Sequence, residues 1–498
     1  MSNGEGSSDG GVLVRVAENA MREKGFLPEP PPDAANQAAR AQPVTAADAG
    51  VRDLRALPWT SIDNPESQDL DQIEVAEAAP DGAIKLYVGI ADVARFVAPG
   101  DAIDRFAGNN TTSVYTGVRT FPMLPERLSF HLSSLLPDEP RAAMVIETLV
   151  QADGSVGEAT VYAALVENKA KLDYPSVSAW LDGKAPPPGV LARDETLRAQ
   201  VQLHDRLAQT LAEARRREGA IDVDTAEVRA VVDEHGQVSG LVAHHQDRAG
   251  RVIEELMIAS NRGVAHALDK AGLASIRRVV KQPERWARIV AYAAERGFTL
   301  PAAPSSLALS KFIDEMRRTR AAEFGDISLA IVKLMGRGEY IAHAPNEPDI
   351  GHFGLATMEY AHSTAPNRRY PDLVTQRILL AHAKGAASPY ARSELATIAE
   401  RCSLMEANAE KVERRVQKSA AAQLLAHRVG QSFDGIITGA GDKGVFVRVL
   451  APTAEGKVVR GERGLAVGQR VRVRLLDVNV DKGFIDFERE VGAARSLA

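Results

Sequence analysis

Apolar residues return at helical spacing along residues 251–271, with Ile253, Leu256, Met257, Val264 and Leu268 on one face, and this predicts a long amphipathic helix. Residues 12–28 show the same periodicity and stop at Gly25 before a proline cluster. The Pro- and Ala-rich stretch at 28–49 has room for one short helix, through 34–41. Residues 370–384 and 393–429 read as further helices, the second long and rich in Ala, Glu and Arg. Strand-like runs occur at 84–91, 143–150 and 159–165. From Ser432 the pattern changes. SFDGIITGAGDKGVFVRVL reads as strand, glycine turn and strand, and QRVRVRLLDVNVDKGFIDFE alternates apolar and polar residues with period two. Short strands joined by glycine turns predict a small all-β barrel. The expected fold class is therefore a mixed α/β (α+β) domain, with helices flanking a sheet, followed by that barrel.

Composition narrows the reading. A chain of 498 residues with 45% hydrophobic and 25% charged residues is ordinary for a soluble globular protein of about three domains. No apolar run is long enough to span a bilayer, so no membrane partner is expected. The start, MSNGEGSSDGG, lacks the basic and apolar regions of a secretory signal. Cys402 is the sole cysteine, which excludes an intrachain disulfide and makes the cytoplasm the expected location. The net charge of −6 argues against a protein that coats nucleic acid nonspecifically, but an RNA enzyme needs positive potential only along its groove.

The candidate chemistry is concentrated at residues 60–75, TSIDNPESQDLDQIEV, where Asp63, Asp69 and Asp71 crowd a short irregular segment. Such carboxylates repel one another unless a cation sits among them, and hard oxygen donors suit Mg²⁺, with Mn²⁺ as the alternative. A polar turn would use the same residue types. No histidine spacing matches a zinc site, and His352 and His362 read as packing residues.

The Asp-rich segment is followed, in order, by VGIADVARFV (88–97), FPMLPERLSFHLSSLLP (121–137) and GHFGLATMEYAHSTAPNRRYPDLVTQR (351–377). Together these resemble the ribonuclease II/R (RNB) family, whose motifs include D-x5-D-x-D-D and an R-R-Y-x-D-L segment. The pattern from Ser432 to Glu488 resembles the OB-fold RNA-binding domain of ribosomal S-one type. The resemblance divides the chain into a short helical, Pro/Ala-rich N-terminal region (1–50), an RNB-type catalytic domain (51–395), a helical connector (396–430) and the OB-fold domain (431–490). Many members carry two cold-shock-type barrels at the N-terminus, for which residues 1–50 are too short.

By that resemblance the chain is a Mg²⁺-dependent 3′→5′ exoribonuclease that acts as a monomer on single-stranded RNA, or on structured RNA with a 3′ overhang, and releases nucleoside 5′-monophosphates. Asp63, Asp69 and Asp71 match the metal ligands, with Asp71 and Arg368 as the catalytic pair. Gln72 stands at the fourth position of D-x-D-D and brings no charge, so the alternative is a catalytically impaired RNA-binding protein on the same fold. Tyr115 matches a residue that stacks on the 3′-terminal nucleotide, and Val223 falls near its aromatic partner. Tyr174 and Glu254 match residues that sense the ribose 2′-hydroxyl, whereas Glu255 reads as a salt-bridge neighbour. Arg368 and Arg369 are expected at phosphates, unless they form an ion pair with Asp372 or Glu359, and Gln376 at a weakened phosphate contact. In the barrel, Phe433 and Phe446 are candidates for stacking on bases, with Arg448, Arg470, Arg472 and Arg474 near phosphates.

Overall fold

The computed structural model describes residues 9–44, 46, 50–223, 227–232, 238–244, 246–441 and 444–490. Its centre is a seven-stranded mixed sheet. From one edge to the other the strands are Arg52–Asp53, Thr160–Glu167, Pro140–Val150, Ile84–Ala91, Gln72–Ala78, Thr60–Asp63 and Ala170–Asp173. The two outermost pairings are parallel and the four inner ones antiparallel. Helices cover both faces. One core joins Ile73 and Val75 from one side of the sheet, and Val88 and Ile90 from the other, to Leu373, Val374 and Ile378 of the helix Tyr370–Ala383 and to Leu207 and Leu256 of the helices Glu195–Glu218 and Arg248–Lys270. A second core joins Ile62 and Leu172 to Val201 and Ile253 of the latter two helices.

Local chemistry explains the element ends. Asp247 accepts from the Gly250 amide at 2.8 Å and so caps Arg248–Lys270, three residues ahead of the periodic run. The first helix, Asp9–Glu23, ends two residues before Gly25, whose φ of +84° suits glycine. The short helix is Pro32–Arg40, with proline in its first turn.

The predicted connector is one continuous helix, Arg392–Leu425, that takes part in three cores. Leu395, Ala399 and Cys402 enter the central core. Met405, Ala409, Val412 and Val416 pack on Ala17, Ala20 and Met21 of the first helix. Ala421, Ala422 and Leu425 enter the core of the C-terminal barrel. The segment is thus shared structure and not a link between separate bodies. The barrel itself is closed, with strand order Ser432–Gly441, Gly444–Leu450, Thr453–Arg460, Phe484–Arg489 and Arg470–Asn479. Among the described residues no helix is long and apolar enough to cross a membrane.

Candidate active site

Asp63 ends the strand Thr60–Asp63, Asp71 immediately precedes the strand Gln72–Ala78, and Asp69 lies in the loop between them. The loop is held from below. Ser134 donates its hydroxyl to the Gln68 carbonyl at 2.6 Å and accepts from the Leu70 amide at 2.9 Å, and the Leu135 amide reaches the Leu70 carbonyl. This is the job of the proline- and serine-rich run at 121–137. The neighbouring Ser133 hydroxyl contacts Asn367 Oδ1 at 2.6 Å, so the same run also fixes the segment that carries the arginines.

Asp71 and Arg368 meet although 297 residues apart: Arg368 Nε donates to Asp71 Oδ2 at 3.0 Å. The Asn367 amide donates to Asp71 Oδ1 at 3.0 Å. Tyr115, on a two-strand hairpin, donates its hydroxyl to Asp69 Oδ2 at 2.6 Å. Asp63 Oδ1 accepts from the Ser67 hydroxyl and the Asn64 amide, both at 2.7 Å. Asp71 is only 2% exposed, and burial, reinforced by the charge of Asp69, pushes its carboxyl up to about 7 against the pull of Arg368. Burial also raises Asp63. Arg368 is opposed by its own burial, yet Asp71, Tyr115, Asp372 and Asp69 hold it charged, above its ordinary value.

The site is a recess. Tyr115 is 42% exposed and the Arg368 side chain 43%, and Glu254 is also reached by water. Burial nevertheless dominates the ionisation of all three, because protein surrounds atoms that solvent can still touch. Tyr174 lies in the same recess, where burial and the charges of Asp63 and Glu74 hold its phenol above the ordinary range. Glu254 stands further off, where Gln246 donates to it at 2.5 Å. Its neighbour Glu255 is buried and paired with Arg215 through two guanidinium nitrogens.

The donors fit a hard cation only in part. Among the described residues Asp63 Oδ2 and Asp69 Oδ1 have no donor, whereas both oxygens of Asp71 are engaged. Among the described residues, the acid and histidine group with ligand atoms within 4.8 Å of one another is a different one, Asp269, His343 and Asp349. There the buried Arg277 forms an ion pair with Asp269 at 2.5 Å and already supplies the positive charge, so we read that group as an ion-pair network joining the helix Arg248–Lys270 to two paired strands. The carboxylates at 63–71 match a hard cation by oxygen chemistry and by charge, although their ligand atoms do not all lie within 4.8 Å of one another.

Several expectations are corrected. Arg369 turns inward to Asp372 Oδ1, at 2.6 Å, and does not face the recess. Gln376 is buried and clasps two chain segments, donating to the Ala91 carbonyl at 2.8 Å and accepting from the Ala94 amide at 3.0 Å, so it is no phosphate contact. Phe433 is 5% exposed and packs edge-on against Phe487 in the barrel core, which leaves no face for a base. Phe446 is half-buried on the outer barrel face, opposite Lys457. Arg448 and Arg470 flank Ile436 on adjacent strands of the barrel and are exposed. Arg472 and Arg474 are paired with Asp434 and Glu488. Val223 packs against a helical core beside Ile221 and Phe353. His352 accepts from the Leu355 amide, and His362 is half-buried with its Nδ1 at 2.9 Å from the Tyr340 hydroxyl.

One group was missed. Glu74 is fully buried beside Asp63 and Tyr174. Its alternation with Ile73 and Val75 gives the strand an apparently solvent-facing side, and only the helices that cover this side reveal a buried acid. A charged residue two positions after Gln72 was the available signal.

Comparison with known proteins bears on this geometry. The RNB domain family matches residues 51–385, and the RNase II-type exonuclease C-terminal S1 domain matches residues 431–490. The chain is 32% identical over 424 residues to Ribonuclease R of Thermotoga maritima, covering 82% of this chain and 58% of the relative. It is 30% identical over 485 residues to Ribonuclease R of Escherichia coli, covering 89% and 57%. It thus spans less than two thirds of the length of these curated relatives. Among solved structures, Mycoplasma genitalium RNase R in complex with double-stranded RNA aligns with a TM-score of 0.84 at 25% identity, covering 96% of this chain and 83% of that one. The same protein with ribose methylated single-stranded RNA aligns with a TM-score of 0.86 at 24% identity, covering 96% and 78%.

Proposed function

The chain belongs to the ribonuclease II/R family of RNB-domain proteins, and on that premise we propose that it is a metal-dependent 3′→5′ exoribonuclease acting on single-stranded RNA. The observation that carries this reading is the meeting of Asp63, Asp69 and Asp71 with Arg368 and Tyr115 in one recess. Mg²⁺ is the proposed ion and Mn²⁺ its substitute, held by Asp63 and Asp69, and when bound it supplies a polarised water and neutralises phosphate charge. Arg368, oriented by Asp71 through Nε, keeps its terminal amino groups for the scissile phosphate, where charge grows in the transition state. Tyr115 is the proposed ring for the terminal base, and Tyr174, beside Asp63, with Glu254 are the proposed sensors of the ribose 2′-hydroxyl. Phe446, with Arg448 on its own strand, Lys457 opposite it and Arg470 across the strand Ser432–Gly441, is the proposed hold on RNA upstream of the recess. The products on this reading are nucleoside 5′-monophosphates.

Gln72, uncharged in the Asp-rich segment, favours one competing reading, an RNA-binding protein on the same fold without hydrolysis. A 5′-labelled oligoribonucleotide incubated with the chain and Mg²⁺ separates the two. Stepwise shortening that stops with chelator is the expected result. Arg368→Ala should then lower the single-turnover rate at least tenfold with a smaller loss of affinity. RNA that is bound but stays intact would overturn the enzyme reading.

A further inference from the structure

Glu74 is 0% exposed, and among the described residues neither of its carboxylate oxygens has a hydrogen-bond partner. Its cross-strand neighbour Thr60 is equally buried and its hydroxyl equally unpartnered. A carboxyl group left unpaired inside a protein is costly whichever protonation state it takes, and a Val or Leu would fill this strand face without that cost. Ile62 and Leu172 nearby show that the surroundings are otherwise apolar. Such a group calls for an explanation that stability alone does not supply.

Its position offers one. Alternation along the strand Gln72–Ala78 puts Glu74 on the same side as Gln72, the position where the Asp-rich segment lacks a charge. Strand side chains lean along the strand, and residues two apart are separated by about 6.6 Å. Glu74 lies close enough to Asp63 and Tyr174 for its charge to be felt at both. We propose that Glu74 is a chain-specific cation ligand that replaces the carboxylate absent at Gln72 and completes, with Asp63 and Asp69, the oxygen set for one divalent ion. The unpartnered Thr60 hydroxyl is then available to donate to the free oxygen of the ligating carboxylate. This inference rests on the metal reading of the Asp63–Asp69 loop given above.

The test is Mn²⁺ binding to the full chain without RNA, followed by electron paramagnetic resonance of the free ion. Glu74→Gln keeps the shape and should weaken Mn²⁺ binding at least tenfold. Adding Gln72→Asp to Glu74→Gln should recover most of that loss. Glu74→Leu should raise the melting temperature of the ion-free protein while abolishing the upward shift that Mn²⁺ gives the parent. Parent-like Mn²⁺ affinity in Glu74→Gln would overturn the role of Glu74 and leave the metal reading standing. Absence of Mn²⁺ binding by the parent and by Gln72→Asp alike would overturn both.

Discussion

Arg368 and Arg369 are adjacent, equally basic, and do different things. Arg368 reaches across to Asp71, while Arg369 folds back on Asp372, three residues along the helix that begins at Tyr370. A buried guanidinium–carboxylate pair that loses one member leaves an uncompensated charge. Arg369→Ala should therefore cost on the order of 3–5 kcal/mol of stability in denaturant unfolding. RNA affinity of the folded protein should change less than twofold, and a large affinity loss with parent-like stability would instead put Arg369 at the RNA. The pairing was partly legible, since Asp372 stands at i+3, but the direction of each side chain depends on where the helix starts. Phe433 was legible too. It lies in phase with Gly435 and Ile437, which face inward, whereas Phe446 lies out of phase with Val445 and Val447, which are buried. Residue type suggested stacking for both phenylalanines, and strand parity separates them.

The helix Glu195–Glu218 carries His204, which is fully buried and whose ring nitrogens have no hydrogen-bond partner among the described residues. Burial pushes its imidazole down to about 4. Between the ordinary histidine value of about 6.5 and that point only the unfolded chain takes up the proton, so the folded state loses stability as pH falls through this window. His204→Leu should shrink the stability difference between pH 7 and pH 4.5 by about 2 kcal/mol in urea unfolding. Asp71 and Glu74, raised by burial, act in the opposite direction, but they are common to both proteins and cancel in the comparison. An unchanged difference would mean that His204 meets water in solution. Elements of strong periodicity were legible to within a few residues, as at Arg248–Lys270 and Tyr370–Ala383. Thr60–Asp63 and Val114–Tyr115 are too short for alternation to show, which is why the Asp-rich segment read as irregular although strands begin and end it. The clasp made by Gln376 joins segments distant in sequence and had no local signature.

At the scale of the molecule, net charge of −6 coexists with a barrel face on which Phe446 lies opposite Lys457 and near Arg448 and Arg470, with Glu455 opposite Arg448. If that face holds phosphates, Arg448→Gln with Arg470→Gln should flatten the slope of log affinity against log salt by about 1.4 for a long RNA. A trimer that fits within the recess should be unaffected. Equal losses for both lengths would assign the two arginines to stability. Substitution is the cleaner experiment here, because cutting the chain after Val429 would strip Ala421, Ala422 and Leu425 of the barrel core that covers them.

The helix Arg392–Leu425 spans about 51 Å at 1.5 Å per residue and gives side chains in turn to the central core, to the first helix and to the barrel. At its far end Gly483 of the barrel comes so near the helix that an added Cβ would lie 2.8 Å from Lys418 Cβ. Among the described residues this helix is a beam clamped at three points, common to the mixed α/β domain and the barrel. Loosening one clamp should remove lateral support from the next, so that damage at the barrel end is felt along the helix, toward the first helix and the central core, as lost rigidity.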